Sequence, residues 1–283
     1  MDLRVAPASA AALTRDVVDL RRWMDRHQRL CVLTGAGCST ASGIPDYRDE
    51  SGAWKRRPPV MILAFRTRPE VYRRYWARAY AGWPRFSAAA PGPAHRALAD
   101  LERQGGLRQV VTQNVDGLHQ RAGSSAVIDL HGRLDVVMCV ACGDRTPRAD
   151  WQQTMAAHNP GWSAPTSPAP DGDADIDGAA EASFVPPRCG RCGGLVKPDV
   201  VFFGENVPPP VYDAARAALS TADALLVVGS SLMVYSGYRF VTQARAAGLP
   251  VAIVNRGRTR GDADAELKVS GDVGDVLTAV VRS

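Results

Sequence analysis

The sequence predicts an α/β fold: a parallel β-sheet with helices on both faces, joined to a smaller unit organised by cysteines. Three observations carry this. Short apolar runs rich in Val, Ile and Leu alternate with helical segments, the pattern of a sheet buried on both sides. Each run ends in polar residues. Two C-x-x-C pairs stand in a stretch that interrupts the alternation.

Taken in order, residues 13–28 form a first helix, with Leu13, Val17, Leu20 and Met24 at helical spacing. "RLCVLTGAG" is a buried strand running into a glycine turn. Residues 52–105 read as helical and loop-rich, with Pro69 placed to begin a helix. "LRQVVTQN" and "SAVIDLHG" are two further strands; "ADALLVVGSS" and "LPVAIVN" repeat the pattern, and "AELKVSG" adds one more. Asp144 to Arg188 is rich in Pro, Ala, Asp and Gly and reads as a surface loop, pinned by Trp151, Trp162 and Phe184. Ligands of such sheets sit beyond the carboxyl ends of the strands. The polar residues there are Thr34–Gly37, Thr112–Asn114, His131–Gly132, Gly229–Ser231 and Asn255. They assemble a pocket from scattered sequence.

With 283 residues, 46% of them hydrophobic, the chain makes one large domain or one large and one small. No apolar run approaches the roughly 20 residues that span a bilayer, and the N-terminus has no secretory pattern. A cytoplasmic protein without a membrane partner is expected. The net charge of +5 rests on 34 basic residues, all arginine except Lys55, Lys197 and Lys268, spread along the whole chain. No nucleic-acid partner is expected from that distribution. The stretch "FRTRPEVYRRYWARAYAGWPRF" mixes arginine with aromatics as single-strand binders do. It is expected instead to be a helix whose arginine stems cover an apolar face.

Cys139, Cys142, Cys189 and Cys192 form the two C-x-x-C pairs, each followed by a glycine, Gly143 or Gly193. Two such turns present four thiolates in the tetrahedral arrangement that zinc favours, with no open position, so the metal is structural. Disulfides and a thioredoxin-type pair are the alternatives. The 46 residues between the pairs exceed a simple ribbon, so the Pro/Asp-rich segment is an insertion.

"LTGAGCSTASGIPDYRD" supplies two glycines of a dinucleotide fingerprint, Gly35 and Gly37, but Thr40 holds the third place and the next strand begins about 70 residues later. A hydride-transferring dehydrogenase is therefore the second choice. The amides of Gly35 to Ser39 can meet a diphosphate at a helix start. "SGIPDYRD" then forms a flexible flap in which Arg48 neutralises phosphate and Asp46 accepts from an amide.

The sequence resembles the sirtuins, NAD-dependent protein deacylases, through "GAGCSTASGIPDYRD", "TQNVDGLHQRAG", "DLHG", the paired C-x-x-C motifs, "KPDVVFFGE", "VVGSSLMVYS" and "IVN". These occur in family order over residues 28–257. "GIPDYR", "GSSLMVYSGYRF" and the long insertion resemble the class II branch, associated with deacylation, lipoamide removal and ADP-ribosyl transfer. The resemblance implies a single catalytic domain. Its Rossmann-like part covers about 10–50, 88–135 and 200–283; its small part comprises a helical segment, about 51–87, and a zinc module, about 136–199. NAD, consumed as co-substrate, and an acylated protein lysine enter the cleft between them.

The same resemblance implies the roles. His131 is the general base, with Asn114 beside it in the catalytic set. Gly35, Ala36, Gly37, Ser39, Ile44, Asp46, Tyr47 and Arg48 belong to the cofactor loop. Gln113, Asn114 and Asp116 hold the ribose and nicotinamide, while Gly229, Ser230, Ser231, Asn255 and Val273 lie at the adenosine end. The acyl oxygen attacks the nicotinamide ribose, nicotinamide leaves, and His131 deprotonates a ribose hydroxyl, giving lysine and O-acyl-ADP-ribose. Val201, Phe202, Phe203 and Gly204 receive the peptide as an added strand. Protein ADP-ribosyl transfer on the same scaffold is the alternative. Tyr75 and Arg78, one helical turn apart, resemble a pair that reads acidic acyl groups; a packed aromatic beside a solvated arginine is the competing reading.

Overall fold

The protein is described by a computed structural model covering residues 10–55, 59–168 and 172–282. Six strands form the main sheet: β1 (Leu30–Thr34), β2 (Leu107–Thr112), β3 (Val127–Asp129), β9 (Ala224–Val228), β10 (Val251–Val254) and β11 (Leu267–Val269). Their spatial order is β11–β10–β9–β1–β2–β3, and every pairing is parallel. The chain moves from β1 outward through β2 to β3, then restarts on the other side at β9. That reversal beside β1 opens a crevice at the carboxyl ends of the strands.

Alternation along each strand sorts the core into two layers. Leu30 and Val32 face helices α1 (Ala10–Arg26), α4 (Pro93–Arg103) and α10 (Val273–Arg282), packing with Leu20, Trp23, Leu98 and Leu277. Cys31 and Leu33 face α8 (Pro209–Ser220) and α9 (Tyr235–Ala246), against Ala215, Leu219, Phe240 and Val241. Each large apolar side chain buried this way is worth about 1.5–3 kcal/mol, which is why both faces are covered. The first helix ends at Arg26, two residues before its expected end, and Arg29 then ties the start of β1 to Asp223 through its backbone N–H and guanidinium.

A second unit holds the antiparallel sheet β5–β4–β8, made of β4 (Gly132–Cys139), β5 (Arg145–Pro147) and β8 (Val196–Val200). Helices α2 (Ile62–Thr67), α3 (Pro69–Ala88), α6 (Arg148–His158) and α7 (Gly178–Ser183) pack on it. Its core unites Phe65, Tyr72, Trp76, Val137, Trp151, Met155, Phe184 and Val196. Pro69 begins α3 at its first turn, as expected, where proline's fixed φ suits the helix and its missing N–H goes unneeded. Tyr72 and Trp76 of that helix are buried, so the arginine/aromatic stretch is a packed helix.

The segment from Asp144 to Arg188 departs from the surface loop expected from its composition. It carries α6, α7 and a two-stranded ribbon, β6 (Ser167–Pro168) with β7 (Ala174–Asp175). Trp151 is 5% exposed and Phe184 is 1% exposed, so a few aromatics outweigh the Pro/Asp-rich average. Asn159 joins its two ends, donating from Nδ2 to Met155 O and Val185 O and accepting from Val185 N–H.

Candidate active site

β1 ends at Thr34 and the chain enters two single 3₁₀ turns, Ala36–Cys38 and Thr40–Ser42. No α-helix starts here, and the amides expected to form a diphosphate cradle are largely committed to the protein itself. Gly35 N–H donates to Val228 O at 3.0 Å and Gly37 N–H to Gly229 O at 2.8 Å. Cys38 and Ser39 N–H close the first turn on Gly35 O and Ala36 O. The two glycines are required by packing: a Cβ on either would lie 2.8 Å from backbone atoms of Gly229. Here the G-x-G pattern lets two strand ends touch, a different use from the dehydrogenase fingerprint. Cys38 is buried beneath them, its thiol directed at Val228 O.

The "TQNVD" segment after β2 knits this turn in place. Gln113 Nε2 donates to Ser230 Oγ at 2.8 Å and to Thr34 O at 3.1 Å. Asn114 Nδ2 donates to Gly35 O and to Ser39 Oγ. Asp116 accepts from Ser39 Oγ at 2.6 Å and from Leu118 N–H, the start of the short helix α5 (Leu118–Arg121). Below lie two buried histidines with ring centroids 4.8 Å apart. His119 Nε2 meets Thr34 Oγ1 at 2.9 Å, and His95 Nδ1 accepts from Gly92 N–H. Burial pushes His119 down to about 3, with the charge of His95 acting in the same direction.

His131 follows β3. Its Nδ1 lies 2.9 Å from Gln113 O. A carbonyl only accepts, so Nδ1 carries the proton and Nε2 is the basic nitrogen. Nε2 lies 2.8 Å from Ser236 Oγ, whose hydroxyl therefore donates to it. Burial lowers the imidazole's proton affinity; the bond to Gln113 O opposes this, and the charge of Arg239 adds to it. The ring is neutral at neutral pH and suited to accept a proton. Gly132, at φ +78°, lets β4 leave beside β8, where a Cβ would lie 2.1 Å from Asp199 O.

The stretch expected to be a flexible flap is a closed turn. Arg48 and Trp54 form an antiparallel bridge, Lys55 N–H donates to Tyr47 O, and Asp49 N–H donates to Ala53 O. Asp49 Oδ1 accepts from Ser51 N–H, Ser51 Oγ and Ala53 N–H. Arg48 stacks over Trp54 at 3.8 Å and donates to Gly52 O; Asp46 pairs with Lys55. Ile44, Asp46, Tyr47 and Arg48 all face the cleft.

On the opposite wall, Val201 N–H donates to His131 O at 2.8 Å, tying the segment expected to receive the peptide to the expected general base. Glu205 shapes that segment by accepting from Lys197 Nζ and from Phe202 N–H. Phe202 is buried against Phe65 and Tyr75, and Phe203 meets Trp54 edge-on; Val201 and Gly204 line the cleft beside them. Ser231, Asn255 and Val273, the first residue of α10, close the far side. Leu232, buried at φ +59°, is the one non-glycine residue among those described with left-handed backbone. Such a conformation costs about 1–2 kcal/mol, and a hydrogen bond from its N–H to Ser230 Oγ holds it.

The whole encloses about 980 Å³. His131, Asn114 and the expected cofactor and peptide residues meet there. Tyr75 and Arg78 do not line it, which corrects their assignment as a carboxylate-reading pair. Arg78 is spent on Asp173 and Asp175 of the insertion, and Tyr75 packs behind Phe202 and Phe65. The cleft is also lined by Trp54, Ser236 and Arg239, which no sequence motif singled out. Ser236 and Arg239 had one legible signal: a three-residue spacing within "VYSGYRF", which puts them on one helix face.

The four thiols of Cys139, Cys142, Cys189 and Cys192 lie within 4.8 Å of one another. Sγ–Sγ separations are 3.5 Å for Cys139–Cys192 and 3.8 Å for Cys142–Cys189. A tetrahedron with Zn–S of about 2.3 Å has edges of about 3.8 Å, so the donor set fits zinc. Both knuckles close identically, Gly143 N–H on Cys139 O and Gly193 N–H on Cys189 O.

A parallel sheet with a nucleotide-sized cleft at its carboxyl ends, one neutral imidazole inside it and a four-thiol module beside it defines a two-lobed dinucleotide-dependent enzyme. The family model described as "Sir2 family" matches residues 35–236. The chain belongs to the Sir2 family. It is 56% identical over 267 residues to an "NAD-dependent protein deacetylase" of Xanthomonas campestris pv. campestris, covering 94% of this chain and 91% of that one. It is 47% identical over 278 residues to the "NAD-dependent protein lipoamidase sirtuin-4, mitochondrial" of Bos taurus, covering 97% and 88%. Among solved structures, a Sir2 complex with p53 peptide and NAD+ aligns with a TM-score of 0.74 at 33% identity, over 93% and 96% of the two chains. One with deacetylated p53 peptide and 3′-O-acetyl-ADP-ribose aligns at 0.77 and 33%, over 94% and 98%.

Proposed function

We propose that the protein is an NAD-dependent protein-lysine deacylase, releasing nicotinamide and O-acyl-ADP-ribose. The observation that carries this is His131: neutral, fixed in one tautomer by Gln113 O, and placed in the wall of a cleft lined by both units, with Ser236 Oγ donating to Nε2. The donor set suits NAD. Ser231 and Asn255 offer neutral groups for ribose hydroxyls, Arg48 a cation for the diphosphate, and Asn114 and Asp116 a carboxamide-binding wall. When bound, NAD supplies the activated ribose carbon. His131 Nε2 takes up the proton that the reaction releases, while Ser236 and Gln113 hold the ring in place. Val201–Gly204 would receive the peptide as an added strand, where they line the cleft.

In this function the chain acts as one catalytic domain with a structural zinc. No described helix is long and apolar enough to cross a membrane; none of the six cysteines is in a disulfide, and zinc-holding thiolates suit a reducing compartment such as the cytoplasm. The test is mass spectrometry of the purified protein with NAD and acetyl- or lipoyl-lysine peptides. Nicotinamide release should require the acyl peptide. His131→Ala should lower turnover by roughly 10²–10⁴ while leaving NAD binding in place. Release without acyl peptide, with ADP-ribose appearing on protein, would establish ADP-ribosyl transfer instead.

A further inference from the structure

Arg239 lies in the cleft on α9, one turn beyond Ser236, the residue that touches His131 Nε2. Its guanidinium carbon sits 3.8 Å from the centre of the Tyr212 ring, so an aromatic surface covers one face of the cation. Its edge is different: Nε and Nη2 are buried and meet no acceptor among the described residues. Three other cleft cations are engaged, and Arg258, which also lines the cleft, is exposed to solvent. Arg48 bonds Gly52 O, Lys55 bonds Asp46 and Arg256 bonds Asp272. Buried guanidinium donors left without acceptors are costly. Nε and one Nη form the planar fork that fits a carboxylate in two parallel hydrogen bonds.

We propose that Arg239 receives a carboxylate carried by the acylated-lysine substrate. Two sources share that chemistry: an acid group at the tip of the acyl chain, or an acidic side chain flanking the modified lysine. The stacking partner Tyr212 belongs to α8, which follows the peptide-side segment of Phe202 and Phe203, and Tyr212 also lines the cleft. Arg239 is therefore packed on α8, the helix that follows the segment assigned to the peptide, and stands one turn from Ser236. The inference rests on the deacylase reading and narrows its substrate class.

The test compares kcat/KM on three peptides: acetyl-lysine with neutral flanks, acetyl-lysine with aspartate or glutamate scanned through the flanks, and glutaryl-lysine with neutral flanks. The wild-type enzyme should favour at least one carboxylate-bearing peptide over the neutral one by roughly tenfold or more. Arg239→Gln should erase that ratio and Arg239→Lys should keep part of it. The ratio within each enzyme is the readout, because it cancels any change in the proton affinity of His131. Loss of preference on the glutaryl peptide assigns the carboxylate to the acyl tip; loss on the flank series assigns it to the peptide. The proposal is overturned if the wild type shows no preference, if Arg239→Gln keeps it, or if the variants raise KM for NAD equally on all three peptides. Should Arg239→Gln fail to fold, the wild-type ratios and Arg239→Lys still decide. Absence of turnover on every acyl peptide would count instead against the deacylase reading.

Discussion

At the scale of single residues, the chemistry turns on where one proton sits. Gln113 O can only accept, so His131 presents Nε2 as its base, and burial keeps that base unprotonated below the ordinary histidine range of about 6.5. In the proposed reaction the neutral ring is the active form, so kcat/KM should hold as pH falls through 6.5 and drop only below it. Ser236 donates to Nε2 only while the ring is neutral. Ser236→Ala should therefore move the acid limb of the pH–rate profile upward and lower kcat/KM a few-fold near pH 6. Superimposable profiles would show that the hydroxyl has no part in the ionisation.

Helix α9 shows how an element imposes conditions on a site made elsewhere. Gly237 costs that helix about 1 kcal/mol relative to alanine by intrinsic propensity, yet a Cβ there would lie 2.3 Å from Gln113 Oε1. The glutamine end can swing aside, so Gly237→Ala should leave the melting temperature unchanged or slightly higher. Gln113 would then lose its bond to Ser230 Oγ, and KM for NAD should rise several-fold. A melting curve and NAD kinetics on one preparation check both halves; an unchanged KM would mean the glutamine does not position the cofactor.

Across the whole molecule, two features couple stability to conditions. Cys139 and Cys189 are part of the same core as Phe65, Trp76 and Trp151, so the metal module anchors the smaller unit. One zinc per chain is expected by elemental analysis, and Cys142→Ser or strong chelation should remove it and lower the melting temperature by several degrees. An unaffected melting curve after metal loss would contradict this. The second feature is acid lability. His119 stays neutral in the folded protein to about pH 3, whereas in the unfolded chain it takes up a proton below about 6.5. Between those values the unfolded state binds more protons, so stability is fully present above about pH 6.5 and declines as pH falls through that window. Burial also lowers His95 and His131, reinforcing the sign. Melting temperatures from pH 8 to 4 should fall, and His119→Gln should flatten the slope; a wild-type curve flat to pH 4.5 would refute the assignment.

The strands, the two cysteine knuckles and the polar residues at the strand ends were legible in the sequence because each depends on local pattern. Apolar runs make buried strands, a C-x-x-C followed by glycine makes a knuckle, and a residue closing a parallel strand necessarily sits at the crevice. Composition misled where a few residues outweigh an average, as Trp151 and Phe184 do in the Pro/Asp-rich insertion. Local spacing misled where a distant partner decides: Arg78 stands one turn from Tyr75, but Asp173 and Asp175 claim its guanidinium. What only the tertiary structure decided is how hydrogen bonds are allotted among groups far apart in the chain. The turn amides of Gly35 and Gly37 go to Val228 and Gly229, Ser236 goes to His131, and the edge of Arg239 is left without an acceptor among the described residues. Partners of that kind are selected by proximity in the fold, and sequence spacing carries no record of it.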